Sequence, residues 1–135
     1  MHDVDVELTK DNTEEHALIT AGILREKKVE NEIINAVLAH SGRKECDNLL
    51  EKTLFCVDPL TGFITACALM NKAEHSEKLR TLTVEFCMRR FKEKRFAQGA
   101  KREDIMLCSE IGISLEDFLD IGIKSMSSIS AELGF

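Results

Sequence analysis

The sequence predicts an all-α protein, and three observations carry that reading. Apolar residues recur at intervals of three and four along most of the chain. Only seven glycines and one proline interrupt 135 residues, too few breakers for a fold of many short strands. No convincing strand alternation appears along the chain. Helices of this kind bury their stripes on one another, so a helical bundle is expected, as a single domain over residues 1–135.

The elements follow in order. "NTEEHALITAGILREKK" opens at Asn12 or Thr13 as N-cap, with acids in its first turn and bases in its last. Ala17, Leu18, Ala21 and Leu24 form its stripe. "VENEIINAVLAHSG" places Ile33, Ile34, Val37 and Leu38 on one face, and Gly42 stands where a C-terminal glycine stop belongs. "CDNLLEKTLFCVDPLTGFITACALM" is long and apolar, broken only by Pro59. "SEKLRTLTVEFCMRRFKEKRF" reads as helix against the β-branched "TLTV". "KREDIMLCSEIG" ends at Gly112. "SLEDFLDIGIKSMSSISAEL" opens with Ser114 and Asp117, a capping-box-like pair, and continues with the stripe Leu115, Phe118, Leu119, Ile123 and Met126.

Composition narrows the functional classes. A hydrophobic fraction of 44% and a charged fraction of 31% are those of a globular chain able to bury a core. A net charge of −6 and the absence of Trp and Tyr argue against nucleic acid as a partner. The five cysteines, Cys46, Cys56, Cys67, Cys87 and Cys108, are odd in number and lack CxxC spacing. Reduced thiols in a cytoplasmic protein are expected, without a cysteine zinc site. The longest apolar run, "GFITACALM", is too short to span a bilayer, so no membrane role is expected. In "MRRFKEKRF", Arg89, Arg90, Lys92, Lys94 and Arg95 face one acid, Glu93. A solvated helix packing through Phe86, Phe91 and Phe96 accounts for that stretch better than a patch for phosphorylated ligands.

Metal-capable side chains crowd the opening "MHDVDVELTKDNTEEH". Asp3, Asp5, Glu7 and Glu14 match EF-hand loop positions, but Leu8 stands where that loop needs glycine, and the EF-hand is rejected. Taken singly, each candidate has a plain structural explanation. His2 and Asp3 read as solvated terminal residues, and His16 as an exposed residue in a helix's first turn, where the dipole favours the neutral ring. His40 reads as a base completing a helix C-terminus. Asp58 before Pro59 reads as an N-cap, or Pro59 lies inside the helix and leaves the Phe55 carbonyl without its donor.

The order of these residues changes their weight. His2-Asp3, then His16, then His40, then Asp58 in "FCVDPLTG" resembles the HD superfamily of metal-dependent phosphohydrolases, closest to its HDIG-type predicted hydrolases. The stretches "HDVDVELTKDNTEEHALITAGILREKKV", "IINAVLAHSGR", "LEKTLFCVDPLTGFITACAL" and "FKEKRFAQGAKRE" extend the resemblance over nearly the whole chain. It implies an HD-like helical bundle. It implies that His2, Asp3 and Asp58 bind a first metal, with Asp3 bridging to a second held by His16 and His40. One or two divalent ions are expected, Fe, Mn, Co, Ni, Zn or Mg, activating a water that attacks phosphorus. The substrate class implied is a small phosphomonoester or nucleotide, with diadenosine polyphosphates a variant within it. Lys10 or Arg43 would neutralise phosphate charge. The family's first histidine lies on a helix upstream of the His-Asp pair, and only Met1 precedes His2 here. That ligand is therefore expected to be missing, which makes an inactive HD-like binding module the alternative. The bundle face left bare favours a homo-oligomer.

Overall fold

The computed structural model describes residues 1–135, the side chain of Thr13 excepted. It is all-α, with six α-helices, three short 3-10 segments and no strand among the described residues. The chain forms two compact units, Met1–Phe55 and Cys56–Phe135.

The first unit begins with turns and a 3-10 segment, Thr13–Glu15, followed by α1 (Leu18–Glu26), α2 (Asn31–His40) and the opening turns of α3 (Leu49–Met70). Ala17, Ala21 and Leu24 pack on Ile34 and Val37, flanked by Val29 and Leu38. Most of the predicted stripes thus meet, but Leu18 and Ile33, predicted on the same faces, are exposed, since they lie at the edge of the α1–α2 contact. The α2 terminus is a Schellman motif: Gly42, at φ 75°, donates to the Ala39 carbonyl and Arg43 to the Leu38 carbonyl. Ahead of α3, the Asn48 side chain accepts the Glu51 N–H at 3.0 Å, and the buried Glu51 carboxylate accepts the Asp47 N–H at 2.7 Å. Asn48 is thus the N-cap, and the N3 Glu51 reaches back one residue beyond it, to N′, in a variant of the capping box.

One boundary differs from expectation. The helix predicted from Asn12 or Thr13 begins at Leu18, because buried Ala17 takes a left-handed turn at φ 65°. That turn separates the 3-10 segment from α1, and His16 precedes α1 instead of lying in its first turn.

The second unit contains the rest of α3, a 3-10 turn at His75–Glu77, α4 (Val84–Phe91), α5 (Arg102–Met106), a 3-10 segment at Leu107–Ile111, and α6 (Leu115–Ser128). Leu60, Phe63, Ile64 and Cys67 of α3 are buried with Phe118, Leu119, Ile123 and Met126 of α6. Gly122 brings these helices close: a β-carbon there would lie 2.6 Å from Ile64 Cδ1. Phe86, Phe91 and Phe96 pack against this core as the sequence predicts, and Phe91 and Phe96 meet Phe63 edge-on. Arg102 lies over Phe63 and donates to the carbonyls of Phe91, Phe96, Ala97 and Ala100.

Two further expectations are corrected here. The helix predicted over 76–96 shrinks to α4, because Thr83 takes extended backbone and caps Phe86 N–H at 3.2 Å. The β-branched run supplies a cap instead of helix interior. In turn, α3 runs unbroken through Asp58 and Pro59, so Asp58 is not an N-cap. At 22 residues α3 passes the length and composition expected of a bilayer span, which its apolar run alone did not. Its Leu60, Phe63, Ile64, Cys67 and Ala68 are buried in the second unit's core.

Candidate metal centre

Asp3 is the point on which three imidazoles converge. His40 Nε2 lies 3.4 Å and His16 Nε2 3.5 Å from Asp3 Oδ1, and His2 Nε2 lies 3.1 Å from Oδ2. The His40 ring stands edge-on to both others, with centroids 5.1 Å from His2 and 5.5 Å from His16. The ligand-capable atoms of Asp3, His16 and His40 lie within 4.8 Å of one another. Ligands about 2.1 Å from a shared ion sit roughly 3–3.5 Å apart, which is the spacing found around Asp3 Oδ1.

Each ring is brought there by a different part of the first unit. His40 is the last residue of α2, and its side chain is 2% exposed. His16 is delivered by the turn at Ala17, and His2 and Asp3 by the opening turns, where Val6 N–H donates to the Asp3 carbonyl at 3.1 Å.

The other nitrogen of two rings decides their tautomer. His40 Nδ1 contacts the Val37 carbonyl, which can only accept, so Nδ1 donates. His16 Nδ1 lies 2.9 Å from Asp5 Oδ1, and an ionised carboxylate also only accepts. In the neutral rings, Nε2 of both residues therefore carries a lone pair, and both lone pairs face the Asp3 carboxylate. Three acceptors gathered in this way repel one another unless a cation or a proton lies among them. Nε2 of His40 is buried and without a hydrogen-bond partner, as an atom awaiting such a cation would be.

Asp5 is wholly buried and saturated with bonds. Its Oδ2 accepts the Thr20 N–H at 2.9 Å, and its own N–H donates to Thr20 Oγ1 at 3.2 Å. Thr20 lies in the first turn of α1, whose N-cap Ala17 offers no side-chain acceptor, so Asp5 caps the helix from fifteen residues away. Burial raises the Asp5 carboxyl, but the bonds from Thr20 and His16 outweigh it and hold the group below the ordinary carboxylate range. The sequence shows Asp5 next to the candidates but not its part. That part depends on the Ala17 turn, which no local signal foretells.

The other predicted residues fall as follows. Lys10 is exposed and ion-paired with Glu7. Arg43, also exposed, donates to the Glu14 carbonyl. Asp58 stands in the interior of α3, within the second unit. No protein-family model, curated protein or solved structure matches this chain.

Proposed function

We propose that this chain is an HD-type metal-dependent phosphohydrolase, acting on a small phosphomonoester or nucleotide through metal-activated water, in an HD-like helical bundle. The observation that carries the reading is the buried His40 Nε2, without a hydrogen-bond partner, facing the Asp3 carboxylate beside His16 Nε2. The donor set fits: two imidazoles with fixed tautomers and one carboxylate suit Mn, Fe, Co, Ni or Zn. A divalent ion held there supplies Lewis acidity toward a phosphoryl oxygen and lowers the pKa of its bound water.

The chain's own residues have distinct parts. His16 and His40 hold their rings still through Nδ1 and offer Nε2. Asp3 presents Oδ1 to that pair and Oδ2 to His2, the disposition of a bridging carboxylate. The resemblance of the sequence adds His2 and Asp58 as ligands. Lys10 or Arg43 would neutralise phosphate charge, which requires Lys10 to leave Glu7 or Arg43 to leave the Glu14 carbonyl.

Elemental analysis of the untagged chain, purified without chelator, tests this reading. Near-stoichiometric transition metal is expected, falling to background in Asp3→Asn and His40→Ala. A screen of phosphomonoesters, nucleotides and dinucleoside polyphosphates should then give turnover that depends on the same residues. Metal without turnover would leave a binding module, and background metal in the parent chain would remove the enzyme reading altogether.

A further inference from the structure

Asp5 has two partners that make opposite demands on a substitute. Thr20 N–H must be accepted by one carboxylate oxygen, and His16 Nδ1 meets the other. We propose that Asp5 is the positioning residue of this centre: its carboxylate keeps the His16 proton on Nδ1 and so turns the Nε2 lone pair toward Asp3. The inference rests on reading Asp3, His16 and His40 as a cation site, but its core is a statement about one proton that holds with or without an ion.

Three observations support the role. Asp5 is fully buried, so its choice of partner is not diluted by water. Both oxygens are committed at 2.9 Å, which fixes the carboxylate plane. Its carbonyl accepts Leu8 N–H, Thr9 N–H and the Thr9 hydroxyl, each at 2.9 Å, so the backbone beneath it is held as well. The two ring ligands are thereby backed unequally, His16 by an anion and His40 by the neutral Val37 carbonyl. An anionic partner raises ligand basicity as well as orienting the ring.

Asp5→Asn separates the positioning role from the capping role. Asparagine caps helices well, so its oxygen keeps the Thr20 N–H. Its NH2 then faces His16 Nδ1 and forces that nitrogen to accept, moving the ring proton to Nε2. Turning the amide over would set NH2 against the Thr20 N–H, two donors face to face. Long-range proton–nitrogen correlation spectra at pH 9 read the tautomers directly. The parent chain should carry the His16 proton on Nδ1, and Asp5→Asn should move it to Nε2. His40, held by Val37, should keep its Nδ1 proton in both and acts as the internal standard.

Manganese titration of the same samples should show affinity falling about 10–100-fold in Asp5→Asn. Far-UV circular dichroism should be unchanged. Asp5→Glu, which keeps the anion, should retain the parent tautomer. A His16 proton on Nε2 in the parent chain, or an unchanged tautomer in Asp5→Asn, overturns the proposal. If the parent chain takes up no manganese, the functional reading fails while the tautomer still decides the role of Asp5.

Discussion

His40 serves two ends that look like alternatives in the sequence. Its Nδ1 contacts a carbonyl in the last turn of α2, as a helix-terminal histidine does, while Nε2 faces Asp3. His40→Gln should therefore abolish manganese binding in calorimetry while leaving helix content intact. Retained binding would dismiss His40 as a ligand. Glu51 gives a second prediction at this scale. Its bond from Lys44 first, and the Asp47 N–H after it, hold its carboxyl below the ordinary glutamate range despite opposing burial. The unfolded chain thus binds the Glu51 proton at higher pH than the folded one. Its contribution is fully present above about pH 4.3 and is lost as pH falls through the folded value. Urea midpoints measured from pH 7 to pH 3 should fall less steeply below that point in Glu51→Gln than in the parent. Parallel acid limbs would refute the assignment. The candidate ligands were legible because each is a chemically distinct side chain in a telling order. Asp5 was not, because nothing local distinguishes this buried acid from its exposed neighbours Asp3, Val4, Val6, Glu7 and Leu8.

At the scale of the element, helix ends divide into those written locally and those imposed from a distance. Ser114 accepts the Asp117 N–H at 3.1 Å and starts α6 where the sequence places it. Gly42 and Gly112, both with positive φ, end their elements as read. Asn48 and Glu51 carry a capping signal of the same kind at α3, and it was there to be read. Asn48→Ala should cost about 1 kcal/mol in urea unfolding. The start of α1 is imposed from afar, since its acceptor is Asp5, whereas the start of α4 is set locally by the Thr83 cap on Phe86 N–H. Gly122 belongs to neither group. Alanine there gains about 1 kcal/mol of helix propensity, but its β-carbon overlaps Ile64, and overpacking costs about 1–3 kcal/mol. Gly122→Ala should therefore be net destabilising by about 1 kcal/mol. A stabilised variant would mean that the Ile64 side chain moves aside freely.

For the molecule as a whole, ion binding and stability are linked. An ion that binds only the folded chain stabilises it by about 2.7 kcal/mol at a free concentration one hundred times its Kd. Thermal scans with manganese should show a rise of several degrees in the parent and none in Asp3→Asn or His40→Ala. An equal rise in all three would place the ion elsewhere. Periodicity and ligand chemistry are properties of residues and their spacing, so the all-α class, most of the apolar stripes and the candidates His2, Asp3, His16 and His40 were legible in the chain. That the three rings meet at Asp3, that His16 lies ahead of α1 and that Asp5 stands behind it emerges from the folded chain alone. Those facts depend on the left-handed turn at Ala17 and on bonds between residues eleven and fifteen positions apart, and no periodicity or local motif encodes contacts at that separation.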